Sequence, residues 1–184
     1  MSGRFRAAVR IFGGAMVAEV LVLGVLPLLL VAGACWDIAT FKIPNFVSLA
    51  LLTAFSLYVL AVRMPLGVLG IHLLVGAIGL TIGFFLFALG YIGGGDAKFL
   101  ASILLWIGGG ADAIDYALIA ALVGGALTIA LVSLRSLPLP AMFVSHAWIM
   151  RLHDSKSGVP YGVALGAGAL LVLPYTEIFH AIRV

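Results

Sequence analysis

No charged residue lies between Lys42 and Arg63 or between Arg63 and Asp96, and Glu19 is the only one between Arg10 and Asp37. Apolar runs of this length point to lipid as the solvent. A bilayer core about 30 Å thick is crossed by roughly 20 apolar residues in helical form. Backbone groups in lipid must bond within the segment, so the expected fold is all-α, a polytopic helical bundle. Composition agrees. Of 184 residues, 64% are hydrophobic and 9% charged, whereas globular proteins average about 25% charged. Mean hydropathy is +1.28.

Apolar runs bounded by Gly, Pro and charge predict six spans, near 14–35, 45–62, 66–90, 96–111, 114–134 and 160–182. The chain, 1–184, reads as a single membrane-embedded domain with no soluble catalytic segment. Connections at 63–65 and 112–113 are short enough for tight hairpins, and only 135–159 is long. Within it, Met142 to Leu152 is expected to lie as an interfacial helix anchored by Trp148 and Arg151. The short fourth span suits a helix that starts in a polar cavity. The pairs Gly79/Gly83 and Gly162/Gly166 are expected to pack helices closely. Arg4, Arg6 and Arg10 precede an apolar run in the manner of a signal peptide, but Ile11 to Cys35 is long enough to span and is read so.

The pI near 9.3 and net charge of +3 come from loop cations that set topology and meet anionic headgroups; nothing points to nucleic acid. Loops 36–44, 91–95 and 135–159 fall on one face with Lys42, Lys98, Arg135, Arg151 and Lys156. Arg63 and Arg183 fall on the other, joined by Arg4, Arg6 and Arg10. The counts are equal. Agreement among three separate loops assigns the first face to the cytoplasm. The one cysteine, Cys35, excludes an internal disulfide. No carboxylate or thiol clusters with His146 or His153, so neither metal nor other cofactor is expected.

Two aspartates stand at span ends in this hydrocarbon, Asp37 in ACWDIATFKIPN and Asp96 in YIGGGDAKFLA. A carboxylate in lipid costs about 2.5–3.5 kcal/mol, which marks it as functional. Two at matching depth are the acid and base that amide hydrolysis needs. Gly93, Gly94 and Gly95 let the backbone turn sharply before Asp96. Asp96 then stands in the first turn of a helix and Asp37 past the end of one, so dipoles assign Asp96 as base and Asp37 as acid. Lys98 is turned roughly 200° from Asp96 and is expected at the interface or on an acidic group of a substrate. On residues alone, Asp37 also fits a solvated loop carboxylate near Lys42, and the glycine run an ordinary capped helix start. Two other functions stay open. One is a small transporter or channel component with proton-carrying aspartates, which needs acids deep in spans. The other is a non-enzymatic subunit of a pilus or secretion assembly.

An Asp followed by I-P-N, a G-x-G-D with Lys two residues on, and a late K-x-x-x-P-Y-G occur in order from about residue 30 to 170. Together they resemble the prepilin peptidase family of membrane aspartyl proteases. The resemblance implies catalytic Asp37 and Asp96. It also implies substrate-binding or site-shaping roles for Gly93, Gly94, Gly95, Lys98, Lys42, Pro44, Asn45, Lys156, Pro160, Tyr161 and Gly162. The implied substrate is a prepilin or pseudopilin, with a basic leader cut after a glycine just before its apolar helix. Cleavage would occur on the cytoplasmic side of a bacterial inner membrane. With no cysteine-rich or methyltransferase segment, the chain is similar to the short form found with Tad/Flp-type pilus systems. Lys42 stands where many members carry Arg, and the two differ at bidentate contacts.

Overall fold

The first apolar run folds as one long helix, α1 (Gly14–Thr40), in a computed structural model that describes residues 14–139, 142, 146–155 and 157–182. The turn Val20–Val25 within it is π-helical. Helix α1 continues past the predicted end at 35, so Asp37 lies in its last turn and not in the following loop. It stops where Phe41 takes a left-handed φ of 56° and donates its N–H to the Asp37 carbonyl at 2.7 Å.

Helices α2 (Asn45–Ala61) and α3 (Leu66–Ala88) each follow a proline, Pro44 and Pro65. A residue with fixed φ and no N–H to satisfy suits the position before a first turn. Helix α4 (Gly94–Ile107) ends earlier than the predicted 111. Gly108 breaks it with φ 79° and ψ −155°, a conformation that is essentially glycine's own. Helix α5 (Ala111–Arg135) follows at once, and α6 (Ala147–His153) is a short exposed helix in the long connection. Helix α7 (Tyr161–Val172) passes through a 3-10 turn, Leu173–Tyr175, to α8 (Glu177–Ile182).

The predicted single span 160–182 is therefore broken. Pro174 sits in the 3-10 turn and Thr176 turns extended, its hydroxyl accepting the Phe179 N–H at 3.3 Å as a helix cap. Arg4, Arg6, Arg10, Lys156 and Arg183 lie outside the described residues.

Every regular element among the described residues is helical. Helices α1, α3 and α5 are long and apolar enough to cross a membrane, and α2 and Tyr161–Tyr175 are shorter apolar helices. Large apolar side chains such as Leu28, Phe84, Leu122 and Ile129 face outward, as lipid requires. The chain is an all-α membrane protein.

At its centre stands α4. Its 14 residues extend about 21 Å, less than the hydrocarbon thickness. It can be short because α2, α3, α5 and α7 pack around it and bury Phe99, Ile103 and Trp106. Glycines let the backbones close in. A Cβ at Gly83 would come within 2.9 Å of Ala97 on α4, and one at Gly166 within 3.0 Å of the Leu30 carbonyl on α1. Both glycine pairs read from the sequence thus serve close helix packing. The Trp106 indole N–H donates to the Leu51 carbonyl at 3.0 Å and ties α4 to α2.

Candidate active site

Asp96 is the third residue of α4, and its Oδ2 accepts the Gly93 N–H at 2.9 Å. This is the acidic half of a capping box; Gly93 has no side chain to supply the other half. The contact is local, spanning three residues. The second oxygen, Oδ1, is buried and has no hydrogen-bond partner among the described residues.

Asp37 is held differently. Its Oδ2 accepts the Gly162 N–H at 2.7 Å, across a separation of 125 residues. The physical need is clear at the start of α7. The first amides of a helix lack partners, and Pro160 at the cap position offers no polar side chain. Asp37 caps α7 from another helix. Both carboxylates therefore face helix N-termini, and the dipole contrast that separated acid from base in the sequence does not hold.

Two close contacts bring α1 and α4 together at this end. One turn before Asp37, Gly33 leaves room for the Phe99 ring, which would lie 2.8 Å from a Cβ there; Phe99 is nearly one turn after Asp96. Ile43 is wedged between Gly162 of α7 and Gly95 of α4. A Cβ on Gly162 would meet Ile43 Cδ1 at 2.5 Å and Asp37 Oδ2 at 2.8 Å, and a Cβ on Gly95 would meet the Ile43 carbonyl at 2.8 Å. Asp37 and Asp96 are 3% and 9% exposed, and Asp96 lies near enough for its charge to act on Asp37. A solvated loop carboxylate at position 37 is excluded by that burial.

The remaining expected residues divide. Gly93 and Gly162 each donate a backbone N–H to one carboxylate, and Gly95 packs against Ile43. Pro160 and Tyr161 open α7 beside them, Pro44 opens α2, and Gly94 packs near the Phe87 ring. Lys98 is exposed and donates to the Asn45 side-chain oxygen at 2.9 Å, away from the carboxylates, as the helix turn demands. Lys42 is exposed, and its carbonyl accepts the Thr40 hydroxyl at 3.0 Å. Lys156 lies outside the described residues.

Sequence reasoning passed over three groups. Ile43 is an apolar side chain inside a polar island, which was its signal. The Gly33–Phe99 contact had none. Arg135 was counted only for topology, yet its Nε and Nη2 donate to the Leu152 and Gly158 carbonyls, each at 2.8 Å. It clamps the long connection just before the turn that carries Gly162. Among the described residues, no three His, Cys, Asp or Glu side chains gather as metal ligands.

Fold and geometry thus define a membrane-embedded helical protein with two buried carboxylates at one end of the bundle. A sequence model of the type IV leader peptidase family matches residues 24–134, more than half of the chain, and the chain belongs to that family. Membership carries a proteolytic, leader-peptidase-like function. The match includes Asp37 and Asp96 and ends before Gly162, whose contact with Asp37 comes from the fold. No match was found among curated proteins or among solved structures.

Proposed function

We propose that the protein is a membrane aspartyl endopeptidase that removes the leaders of type IV prepilins or pseudopilins, of the Tad/Flp type. It acts at the cytoplasmic face of a bacterial inner membrane, as one membrane-embedded domain, and needs no cofactor. The observation that carries this reading is the pairing of Asp37 and Asp96. They come from separate helices, are buried at the same end of the bundle, and Asp96 is near enough for its charge to act on Asp37. Gly162 and Gly93 each hold one of them by a backbone N–H.

In this reading one aspartate is ionised and the other protonated. The ionised carboxylate takes a proton from water as the water oxygen adds to the scissile carbonyl carbon. The protonated partner gives its proton to the leaving amine nitrogen as the C–N bond breaks. One proton is taken and one is given, so the pair returns with the roles exchanged. Asp96 Oδ1 is buried without a partner among the described residues, so it is free to bind a water admitted with the substrate.

The test is co-expression with a prepilin bearing a basic leader, a glycine and an apolar helix, read by the mobility shift of leader removal. The wild type is expected to cleave. Asp37→Ala and Asp96→Ala are each expected to abolish cleavage while accumulating normally in membranes. Uncut precursor beside abundant wild-type protein, or cleavage surviving in either variant, overturns the proposal.

A further inference from the structure

Helix α4 packs on α3 and α5 packs on α7, and between these pairs runs an open groove of about 640 Å³. Its wall on α5 extends from Tyr116 to Ile129, about 20 Å of helix. No charged side chain lines it. Two of its three side-chain hydroxyls are already used: the Tyr116 hydroxyl donates to the Leu165 carbonyl at 3.4 Å and the Thr128 hydroxyl to the Gly124 carbonyl at 2.8 Å.

The groove reaches residues that adjoin the two glycines holding the aspartates. Ile92, which lines it, precedes Gly93, the donor to Asp96; Tyr161, which also lines it, precedes Gly162, the donor to Asp37. Helix geometry gives the same answer. Leu100 and Leu104 face the groove and lie roughly 40° and 80° around α4 from Asp96. A second apolar groove of about 650 Å³ lies between α2 and α3. Its α4 wall is Lys98, Ala101, Ser102 and Leu105, roughly 120–180° around the helix from Asp96. Size does not separate the two grooves. Their position around α4 does.

We propose that the α4–α5 groove receives the apolar helix of the substrate from the side, so that the peptide bond at the membrane-surface end of that helix meets Asp37 and Asp96. The inference rests on the proteolytic reading above. A helix has to sit beside the site it is cut by, and this is the uncharged groove on the Asp96 face of α4. Small residues along α5, Ala117, Ala121 and Gly125 among them, let a helix backbone come close. Gly125 is open: a Cβ there meets nothing within 4 Å. A large side chain at that position fills the groove without disturbing existing packing.

The probe is a synthetic prepilin with a Lys-rich leader, a glycine and a 20-residue apolar helix, a length about enough to span. Gly125→Trp is expected to slow its cleavage at least tenfold, whereas Ala77→Trp, in the opposite groove, stays within twofold of wild type. A second measurement does not depend on catalysis. In a Cys35→Ser, Asp96→Asn background, Ala121→Cys and Gly125→Cys are expected to crosslink to a cysteine in the probe's apolar helix, and Ala77→Cys is not. Wild-type cleavage by Gly125→Trp, or crosslinks through position 77 in place of 121 and 125, overturns the proposal. Absence of any crosslink marks the groove as lipid-filled and overturns it too. Crosslinks at 121 and 125 with a wild type that never cuts would sink the proteolytic reading while keeping the docking groove.

Discussion

Asp96 and Asp37 hold equivalent places in the site but reach them by different physics. Asp96 is set by its own neighbourhood: a glycine turn, a helix start and a hydrogen bond to an amide three residues back. Asp37 depends on a partner 125 residues away, and on Ile43, Gly162 and the long connection before α7 to bring that partner in. One half of the pair is built locally and the other is assembled. The assembled half is therefore where distant changes are expected to reach the chemistry.

The largest effects test the equivalence of the two halves. Asp37→Asn and Asp96→Asn are each expected to lower single-turnover cleavage by about 10²–10⁴-fold, the range for loss of an acid or base. Markedly unequal losses would break the symmetry of a shared pair, since coupled groups act as a unit.

The next test separates local from assembled. In Gly162→Ala the new Cβ would stand 2.5 Å from Ile43 Cδ1 and 2.8 Å from Asp37 Oδ2, so the carboxylate must move. Cleavage is expected to fall about 100-fold, as misplacement of a reacting group by about 1 Å does. Gly93→Ala puts its Cβ 3.1 Å from Asp96 Oδ2 at an ordinary φ of −75°, and less than tenfold loss is expected. Equal losses in the two alanine variants would remove the distinction.

Smaller still, Arg135→Ala removes two hydrogen bonds from the connection that aims Gly162. A stability loss of about 1–3 kcal/mol is expected, read as a lower Tm in detergent. A fall in kcat with KM little changed is expected too, as for a positioning residue. Arg135→Lys keeps the charge but not the fork and should rescue only in part. Wild-type kcat in the alanine variant would show that the clamp does not reach Asp37. At the bottom of the scale, Lys98→Met loses its bond to Asn45 on the face of α4 away from Asp96. Cleavage is expected to stay within about fivefold of wild type, the worth of one exposed hydrogen bond. A larger loss would give that face a part in binding the substrate.

Much of this pattern follows how far along the chain each cause lies. The Gly93–Asp96 turn was legible because its hydrogen bond closes within a few residues. The α2 and α3 starts were legible for the same reason, through Pro44 and Pro65. Where the reading failed, a local rule was outweighed by neighbouring chemistry. The apolar run across 160–182 hid a break at Pro174 and Thr176, and α4 stops at Gly108 although apolar residues continue beyond it. Asp37 read as either loop or site until α1 was seen to carry it inward. Its partner at Gly162 stood in a recognisable motif, but nothing in that motif named which carboxylate it would meet.

The amino-acid sequence alone determined that the chain lives in lipid, that it is helical, and that a glycine turn presents an acid at a helix start. Apolar length and turn chemistry act over a few residues, and they can be counted. Only the tertiary structure decided that α4 is the central helix, that Ile43 and the Gly33–Phe99 contact join the two halves, and that Arg135 steadies the approach to Gly162. The reason lies in the solvent. A helix in lipid is apolar on every side, so no amphipathic stripe marks its inner face. Its partners are chosen by close packing and a few buried hydrogen bonds.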